Sequence, residues 1–393
     1  MIDSSTEKID SRADRLHIVF LCNEYPPSSH GGIGSFTQTM ARALTARGHK
    51  VTVMGLYRQS KDSREDDCGI SVVRLAHARK PGLGLVVNGR RLTKALKRLH
   101  AEHPINILEG PENSLALVQG NFPAVKIIRM HGGHHFFYTT LGLKPRFWRS
   151  LIEKRSVQKA DHFCGVSQFV AEQTRTLLGL AGRPIEILPN GVNVAQFHPR
   201  AEIAEEPGLV IFVGTLCEKK GVRQLVQAMP QIVKAVPTAH LWLVGRDSLD
   251  PDSEVSFSQQ LTALIPEWLK DRIKFCGPVI HPSLPELLAR AEVLVYPSHM
   301  ESIGIAPIEG LAMGKALVIG NTGPAPEVVE DGVSGLLCDP FSPSSIAAAV
   351  IQLMRDQALR RKMGERARSR AVELFCMEKV ADRNEAFYRR CLS

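Results

Sequence analysis

Residues 209–221 read LVIFVGTLCEKKG, and the order of apolar, glycine and polar positions in this segment indicates the fold class. The segment Leu209–Gly214 is a short apolar run that predicts a buried strand ending in glycine. Behind it, Lys219, Lys220 and Gly221 form a polar turn that leads into a stretch with helical spacing. A strand, a glycine-bearing turn and a helix in this order indicate the opening unit of a parallel α/β sheet.

The same alternation continues downstream of this unit. Short apolar runs are separated by helical stretches, and beyond residue 342 the chain is almost entirely helix-like and charged. Runs that are apolar throughout are typical of strands covered by helices on both faces. The four further predicted strands are Ala239–Gly245, Arg272–Gly277, Val293–Pro297 and Ala316–Gly320.

An equivalent alternation lies upstream and ends in a segment rich in breakers. Pro189–Gly208 holds prolines, glycines and an acidic cluster, and it predicts a linker over residues 196–207. The predicted upstream strands are Leu16–Cys22, Val51–Gly55, Ile105–Glu109, Ala124–Met130, His162–Val166 and Ile185–Pro189. The predicted helices are Ile33–Arg47, Leu92–His100, Phe147–Lys159 and one that starts at Ser167.

These patterns predict an α/β protein with two Rossmann-like domains whose parallel sheets face each other across a cleft. We expect a flexible tail at residues 1–14, an amino-terminal domain at 15–195 and a carboxyl-terminal domain at 208–375. Residues 376–393 are predicted to form a helix that packs back on the amino-terminal domain. Since open parallel sheets bind ligands at the carboxyl ends of their strands, functional residues should follow strands.

The composition is that of a folded globular protein. Of the 393 residues, 44% are hydrophobic and 23% charged, which excludes a disordered, collagen-like or coiled-coil chain. No run approaches the length of a membrane-spanning helix, and the polar first fifteen residues lack the apolar core of a secretory signal. The eight cysteines form no C-x-x-C pair, which favours reduced thiols over a disulfide framework or zinc site. We therefore expect a cytoplasmic protein.

The net charge of +9 is unevenly distributed along the chain. Residues 1–200 hold 28 Lys and Arg against 16 Asp and Glu, whereas residues 201–393 hold 21 against 24. A basic half suggests an anionic partner, which could be a membrane surface, nucleic acid or a phosphorylated substrate. No nucleic-acid motif is found, and three Trp and five Tyr offer little stacking, so nucleic acid is the weakest of these hypotheses.

The basic residues of the amino-terminal half gather on two helix-like segments. One interpretation is a pair of solvated helix faces, and the other is a basic face that rests on the anionic inner leaflet of a membrane. The residues are Arg90, Arg91, Lys94, Lys97 and Arg98, then Arg146, Arg149, Lys154 and Arg155.

The first candidate site is the glycine-rich turn His30–Ser35, which follows the first strand and opens a helix. Glycines in this position let backbone N–H groups approach a phosphate, and the helix N-terminus favours negative charge. The spacing is not the dinucleotide G-x-G-x-x-G, and a plain tight turn is the alternative. The second candidate is Lys220, whose ammonium could stand beside a phosphate, with a solvated Lys219–Lys220 pair as the alternative.

The third candidate is a pair of glutamates eight positions apart, Glu301 and Glu309, after the strand Val293–Pro297. If Pro307 is the first helical residue, Glu309 lies in the first turn and could simply complement the helix dipole. Glu301 stands in a loop without a basic residue within ten positions before it or thirteen after it. Such a carboxylate could accept hydrogen bonds from the hydroxyls of a sugar or ribose.

The fourth candidate is the sequence His131–His135, HGGHH, after the strand that ends at Met130. Three histidines suggest zinc, but the spacing is not that of a helical H-E-x-x-H site and no carboxylate is near in sequence. A single histidine at a strand end, facing the cleft, is the better interpretation. A histidine-rich surface loop is the alternative.

Taken in order, these motifs resemble the retaining, nucleotide-sugar-dependent glycosyltransferases of family 4, the glycosyl transferases group 1, which have the GT-B fold. The resemblance runs from about Leu16 to Asp339. Each motif alone is weak, but their order and spacing are specific. The motifs are GGIGSF (31–36), PNGVNVAQFHP (189–199), VGTLCEKKG (213–221), PSHMESIGIAPIEGLAMG (297–314) and GNTGPAPEVVEDGVSGLL (320–337).

The resemblance implies an acceptor-binding amino-terminal domain and a donor-binding carboxyl-terminal domain. It implies catalytic roles for Lys220 on the leaving phosphate, Glu301 on the transferred sugar and His131 beside the donor sugar. Glu309 would bind ribose hydroxyls, and the backbone at Val279 would contact the base. The further implied donor contacts are Gly31, Gly32 and Gly34 at the diphosphate, and Ser302, Ile303, Gly304 and Ile305 through their backbone amides.

The implied reaction is transfer of a sugar with retention, from a nucleoside diphosphate donor to a saccharide or lipid-linked acceptor. Family frequency alone favours UDP. Neither metal nor cofactor is expected, because lysine, amides and helix N-termini would meet the leaving-group charge. One departure is Thr215, where the family commonly has an arginine that contacts the diphosphate. Alternative functions are a sugar-nucleotide epimerase on the same fold, or a nucleotide-sugar-binding protein without catalysis.

Overall fold

The computed structural model describes residues 15–28, 31–78, 83–249 and 255–393. The predicted tail at residues 1–14 and the His30 position of the glycine-rich turn lie outside the described residues. Two parallel-sheet α/β domains are present, as predicted. Within the described ranges, no helix is both long enough and apolar enough to cross a bilayer.

The amino-terminal domain is built on an eight-stranded sheet in the order β3-β4-β2-β1-β5-β6-β7-β8. All neighbours pair in parallel except β3, which runs antiparallel to β4 at the edge. The strands are β1 (His17–Leu21), β2 (Lys50–Tyr57), β3 (Ser63–Asp67), β4 (Ile70–Ala76), β5 (Ile107–Gly110), β6 (Val125–Met130), β7 (His162–Gly165) and β8 (Ile185–Ile187).

Five helices connect these strands and cover both faces of the sheet. They are α1 (Gly32–Ala46), α2 (Gly84–Glu102), α3 (His134–Thr140), α4 (Phe147–Val157) and α5 (Gln168–Leu178), with a 3-10 turn at Leu115–Leu117. The central strands are apolar because helices bury both faces; β1, for example, is buried at all five positions. The helix predicted at Leu92–His100 begins eight residues earlier, at Gly84.

The carboxyl-terminal domain has a six-stranded parallel sheet in the order β11-β10-β9-β12-β13-β14. Its strands are β9 (Leu209–Val213), β10 (His240–Val244), β11 (Ile273–Gly277), β12 (Val293–Tyr296), β13 (Leu317–Gly320) and β14 (Leu336–Cys338). Its helices are α6 (Val222–Ala235), α7 (Phe257–Thr262), α8 (Leu284–Ala289), α9 (Ile305–Ala312), α10 (Ala325–Val328), α11 (Pro343–Arg355) and α12 (Gln357–Arg370). Short 3-10 segments lie at Glu218–Lys220, Glu267–Arg272 and His281–Ser283, and a π-helical segment at Ala371–Phe375 follows α12.

The last helix, α13 (Met377–Leu392), packs against α1 of the amino-terminal domain. Its Tyr388 hydroxyl donates a 2.8 Å hydrogen bond to Oε2 of Glu109, and Oε1 of Glu109 pairs with Nε of Arg129 at 2.7 Å. Both members of this ion pair are buried, so each removes the cost of leaving the other uncompensated in the core. A buried polar network therefore attaches the last helix of the chain to the amino-terminal domain.

Candidate active site

A close approach between two loops forms the centre of the carboxyl-terminal site. Gly221 has φ +68°, and a Cβ there would lie 1.8 Å from the carbonyl oxygen of Pro297, so only glycine fits. The loop after β9 therefore packs on the end of β12, and the amide of His299 donates to the carbonyl of Lys219 at 2.8 Å. These contacts place Lys220 beside the loop that contains Glu301.

Lys220 and Glu301 form a direct ion pair between Nζ and Oε1. The Ser298 hydroxyl also donates to Oε1 of Glu301, at 3.1 Å. Burial raises the pKa of the Glu301 carboxyl, but the ammonium groups of Lys220 and Lys219 outweigh burial and bring this pKa below its usual value. Glu301 is therefore an ionised acceptor with two cations beside it.

The loop that follows Glu301 ends in a helix that begins earlier than predicted. Gly304 has φ +76°, and α9 starts at Ile305, two residues before Pro307. Glu309 is thus beyond the first turn, and the alternative that it only complements the helix dipole there is wrong. Its carboxylate is buried and accepts a 2.7 Å hydrogen bond from Nε2 of His281, and this bond raises the pKa of His281.

The other predicted donor contacts of this domain lie in the loops that follow β11 and β12. Val279, in the loop after β11, is half-buried and packs against the core. Ser302 is half-buried, whereas the Ile303 side chain is buried, so the latter anchors the loop. Thr215, the departure from the family pattern, is half-buried in the loop after β9.

The glycine-rich turn of the amino-terminal domain already has an internal acceptor. Oε1 of Glu24 accepts from the amide of Gly31 at 3.0 Å and from that of Gly34 at 2.9 Å. These two groups, predicted to meet the donor diphosphate, are therefore engaged by a carboxylate at the start of α1. The amides of Gly32 and Ile33 have no hydrogen-bond acceptor among the described residues.

His131 is buried at the end of β6, and its ring meets the edge of Phe36 at a centroid distance of 5.0 Å. Burial, assisted by the neighbouring Arg129, lowers the pKa of His131 to about 3. The imidazole is therefore neutral at physiological pH, and one ring nitrogen can donate while the other accepts.

The other two histidines of HGGHH serve as structural hydrogen-bond partners. Nε2 of His134 accepts from the amide of Arg146 at 2.7 Å, and Nδ1 of His135 donates to Oε2 of Glu153 at 2.6 Å. The fold thus brings a carboxylate to this loop although none is near in sequence. Among the described residues, no group of three His, Cys, Asp or Glu is arranged to hold a metal ion.

Contacts between the two domains also lie around the site, and Phe137 and Glu327, which take part in them, were not among the predicted site residues. The Ser167 hydroxyl donates to the carbonyl of Ser302 at 2.7 Å, and Nζ of Lys219 lies 4.2 Å from the ring centre of Phe137. Glu327 accepts from the first two amides of α5, at 2.7 and 2.9 Å. Ser167 was recognisable as a helix start, but nothing in the sequence near Glu327 indicates its partner.

Several cavities adjoin these loops, and a small one is lined by Ser298, Glu301 and Ile303. Another, of about 490 Å³, lies between the domains and is lined by Ser35 and Phe36 of α1 and by Ile305, Glu309 and His281. A larger cavity of about 760 Å³ beside Lys315 shares no residue with the loops described above.

A cavity of about 580 Å³ lies within the amino-terminal domain, between the glycine-rich turn and α4. Its lining includes Ile33, Glu112, His134, Arg149 and Glu153. Burial raises the pKa of Glu112 to about 8, so this carboxyl is largely protonated at neutral pH. Its Oε1 is buried and has no hydrogen-bond partner among the described residues.

Known protein families match both halves of this structure. Residues 30–196 match "Glycosyltransferase Family 4", and residues 193–370 match "Glycosyl transferases group 1". The two matches meet at the segment that joins the sheets.

Individual proteins match over nearly the whole chain. Glycogen synthase of Mycobacterium tuberculosis is 26% identical over 408 residues, which cover 95% of this chain and 94% of that protein. A GDP-mannose-dependent alpha-(1-6)-phosphatidylinositol monomannoside mannosyltransferase of the same organism is 28% identical over 374 residues, with 89% and 92% covered. The solved structure of sucrose-phosphate synthase from Thermosynechococcus elongatus has the same fold, with a TM-score of 0.82, 24% identity, and 96% and 99% of the two chains covered.

The paired parallel-sheet domains, the loops that meet between them and these matches lead to one assignment. The chain belongs to the family 4 glycosyltransferases, glycosyl transferases group 1, and has the GT-B fold.

Proposed function

We propose that this glycosyltransferase moves a sugar from a nucleoside diphosphate donor to a hydroxyl acceptor with retention at the anomeric carbon. The observation that carries this proposal is the ion pair of Lys220 and Glu301 at the carboxyl ends of β9 and β12. A cation and a carboxylate held together there offer a partner for a leaving diphosphate and one for the hydroxyls of the transferred sugar.

In this proposal the diphosphate charge is met by several groups at once. Lys220 contributes an ammonium, Lys219 a second one nearby, and Gly32 and Ile33 contribute amides at the start of α1, where the helix dipole favours an anion. The amides of Gly31 and Gly34 would join them only when the Glu24 carboxylate moves away. This set takes the place of the arginine that Thr215 replaces, and it needs no metal or other cofactor.

The remaining donor contacts follow from the chemistry of each side chain. Glu301 accepts from sugar hydroxyls, neutral His131 exchanges a hydrogen bond with the same sugar, and Glu309 accepts from ribose hydroxyls in competition with His281. The backbone amides of residues 302–305 meet sugar or phosphate oxygens, and the backbone at Val279 meets the base. UDP is our first choice of nucleotide, although a named relative uses GDP-mannose.

The acceptor in this proposal is a saccharide or lipid-linked hydroxyl that enters the cavity of about 580 Å³ in the amino-terminal domain. Glu112, protonated at neutral pH, can donate a hydrogen bond to a hydroxyl oxygen, and the carboxylate of Glu153 can accept one. Enzymes of cell-surface polysaccharide or glycolipid synthesis handle acceptors of this kind. Catalysis would take place in the cytoplasm, at or near the inner membrane face.

The deciding experiment screens UDP- and GDP-sugars for thermal stabilisation of the protein, because at a fixed concentration a ligand that binds more tightly stabilises the folded state more. The stabilising donor is then offered with a panel of saccharide acceptors, with and without EDTA, and the anomeric configuration of the product is read by NMR. Transfer with retention, unchanged by EDTA, supports the proposal. An isomerised nucleotide sugar without transfer would instead indicate an epimerase, and binding without any turnover a non-catalytic protein.

A further inference from the structure

The start of α4 exposes an unusual group of large apolar side chains. Phe147 and Trp148 are 71% and 72% exposed, and their rings contact each other at a centroid distance of 5.4 Å. Leu143 precedes them and Leu151 lies one helical turn later, and both are also exposed. A group of large exposed apolar side chains of this kind is typical of a surface that contacts a partner.

Cations surround this apolar group, and carboxylates are nearly absent from it. Within the described residues, the exposed cations of this segment form no ion pair with a carboxylate. The one acidic residue between positions 141 and 157 is Glu153, which is buried against His135. We call the group the aromatic–basic surface, and it consists of Leu143, Lys144, Arg146, Phe147, Trp148, Leu151, Lys154 and Arg155.

The start of α2 exposes further apolar side chains on the same face of the sheet as α4. The connections through α2, from β4 to β5, and through α4, from β6 to β7, cross the sheet in the same direction. Since such crossovers are right-handed, the two helices cover the same face, and both pack on the turn Leu115–Leu117. Both helices also begin near the carboxyl ends of the strands, and α2 begins with a further exposed apolar group. That group is Leu83, Leu85 and Val86.

The aromatic–basic surface adjoins the cavity proposed for the acceptor. Arg149 follows Trp148 in α4 and is exposed, but its side chain leaves the helix about 100° further round, where it lines the cavity of about 580 Å³ with Glu112 and Glu153. A molecule held against this surface would therefore be beside the opening where a head group could enter.

We propose that the aromatic–basic surface docks on an anionic lipid bilayer and that the acceptor is carried by a lipid in that bilayer. Aromatic rings favour the interface between water and acyl chains, and clustered lysines and arginines favour anionic head groups. A protein partner would need complementary polar contacts, whereas this surface offers apolar and cationic groups almost alone. The choice of a lipid-borne acceptor rests on the proposed glycosyl transfer, but the docking does not.

The test is sedimentation of the full-length protein with phosphatidylcholine vesicles that contain, or lack, phosphatidylglycerol. We expect binding only to the anionic vesicles, and weaker binding as salt rises. Phe147→Ser with Trp148→Ser should lower the partition coefficient by about tenfold or more, because the inserted rings are lost. Lys144→Gln with Arg155→Gln should weaken binding and flatten its salt dependence.

The matched control is Trp268→Ser, since Trp268 is 60% exposed on the carboxyl-terminal domain and lies outside this surface. It should bind anionic vesicles like the wild type. Stabilisation by the nucleotide sugar, measured on every variant, separates the two proposals and verifies folding. The docking is overturned if the wild-type protein does not bind anionic vesicles. It is also overturned if the Phe147–Trp148 double variant binds them as the wild type does. Self-association that depends on Trp148 in the absence of lipid also overturns it, in favour of a second copy as the partner.

Discussion

Glu301 and Lys220 lie 81 positions apart in the chain, yet the carboxylate of one contacts the ammonium of the other. The glycine at 221 makes this possible, because it admits the carbonyl of Pro297 into the space a side chain would fill. The pair is partly buried, so each charge depends on the other for compensation.

Replacing either member of this pair should remove activity and also destabilise the fold. Lys220→Ala and Glu301→Ala should each lower kcat/KM at least about 100-fold, because each removes a charged group that our proposal places at the reacting centre. Since each also leaves an unpaired charge, the double variant should be more stable than the sum of the single effects predicts. Turnover and urea denaturation measure the two effects. Rates like the wild type in both single variants would contradict the site assignment.

The Glu24 carboxylate should stabilise the start of α1. Glu24→Ala removes the acceptor of two amides at a helix N-terminus, which should cost about 1 kcal/mol of unfolding free energy. Glu24→Gln should cost less because its amide oxygen still accepts, although the favourable charge is lost. Glu267→Gln is a matched control, since Glu267 is exposed and pairs only with Lys270 on the surface. If urea denaturation finds Glu24→Ala as stable as this control, the amides have another acceptor.

Glu327 should hold the two domains together at the start of α5. Its carboxylate accepts from the amides of Gln168 and Phe169, so Glu327→Ala leaves both without this partner and should lower the unfolding free energy by about 1 kcal/mol. We also expect a larger radius of gyration in small-angle scattering, because an interdomain contact is lost. Glu330→Ala, on the exposed side of the same loop, should change neither quantity. An unchanged radius together with unchanged stability would contradict this role.

Buried His131 should make the fold sensitive to acid. Its pKa is about 3 in the folded protein and about 6.5 in the unfolded chain, so the unfolded state binds a proton first as pH falls. Stability is therefore complete above pH 6.5 and decreases between pH 6.5 and 3, by about 1.4 kcal/mol per pH unit from this residue. His131→Gln, which cannot titrate, should show a shallower decrease in urea denaturation from pH 7 to pH 5. Identical slopes in the variant and the wild type would show that His131 is not buried as a neutral ring.

Local patterns in the sequence were sufficient for the two-domain α/β fold class, although not for every strand. Runs such as Leu209–Gly214 are apolar throughout because helices cover both faces of their strands. The prolines and glycines between Pro189 and Gly208 marked the boundary between the two sheets. The strands Ile70–Ala76 and Leu336–Cys338 were not predicted, and neither was the edge strand Ser63–Asp67. It reads SREDD, is mostly exposed, and is held by backbone pairing to one neighbour, which leaves no apolar pattern.

Strand periodicity, glycine spacing and motif order are local properties, so they were enough to predict the two domains, the loops of the candidate site and the family of the chain. The contacts between residues that are distant in the chain are visible only in the folded structure. There Lys220 pairs with Glu301, and Glu24 accepts hydrogen bonds from amides of the glycine-rich turn. His131 is buried as a neutral ring, and Glu327 accepts hydrogen bonds from α5 of the other domain. Ion pairs, desolvation and hydrogen bonds depend on distances of a few ångströms in space. The separation of two residues along the chain does not determine that distance, so these interactions could not be predicted from the sequence.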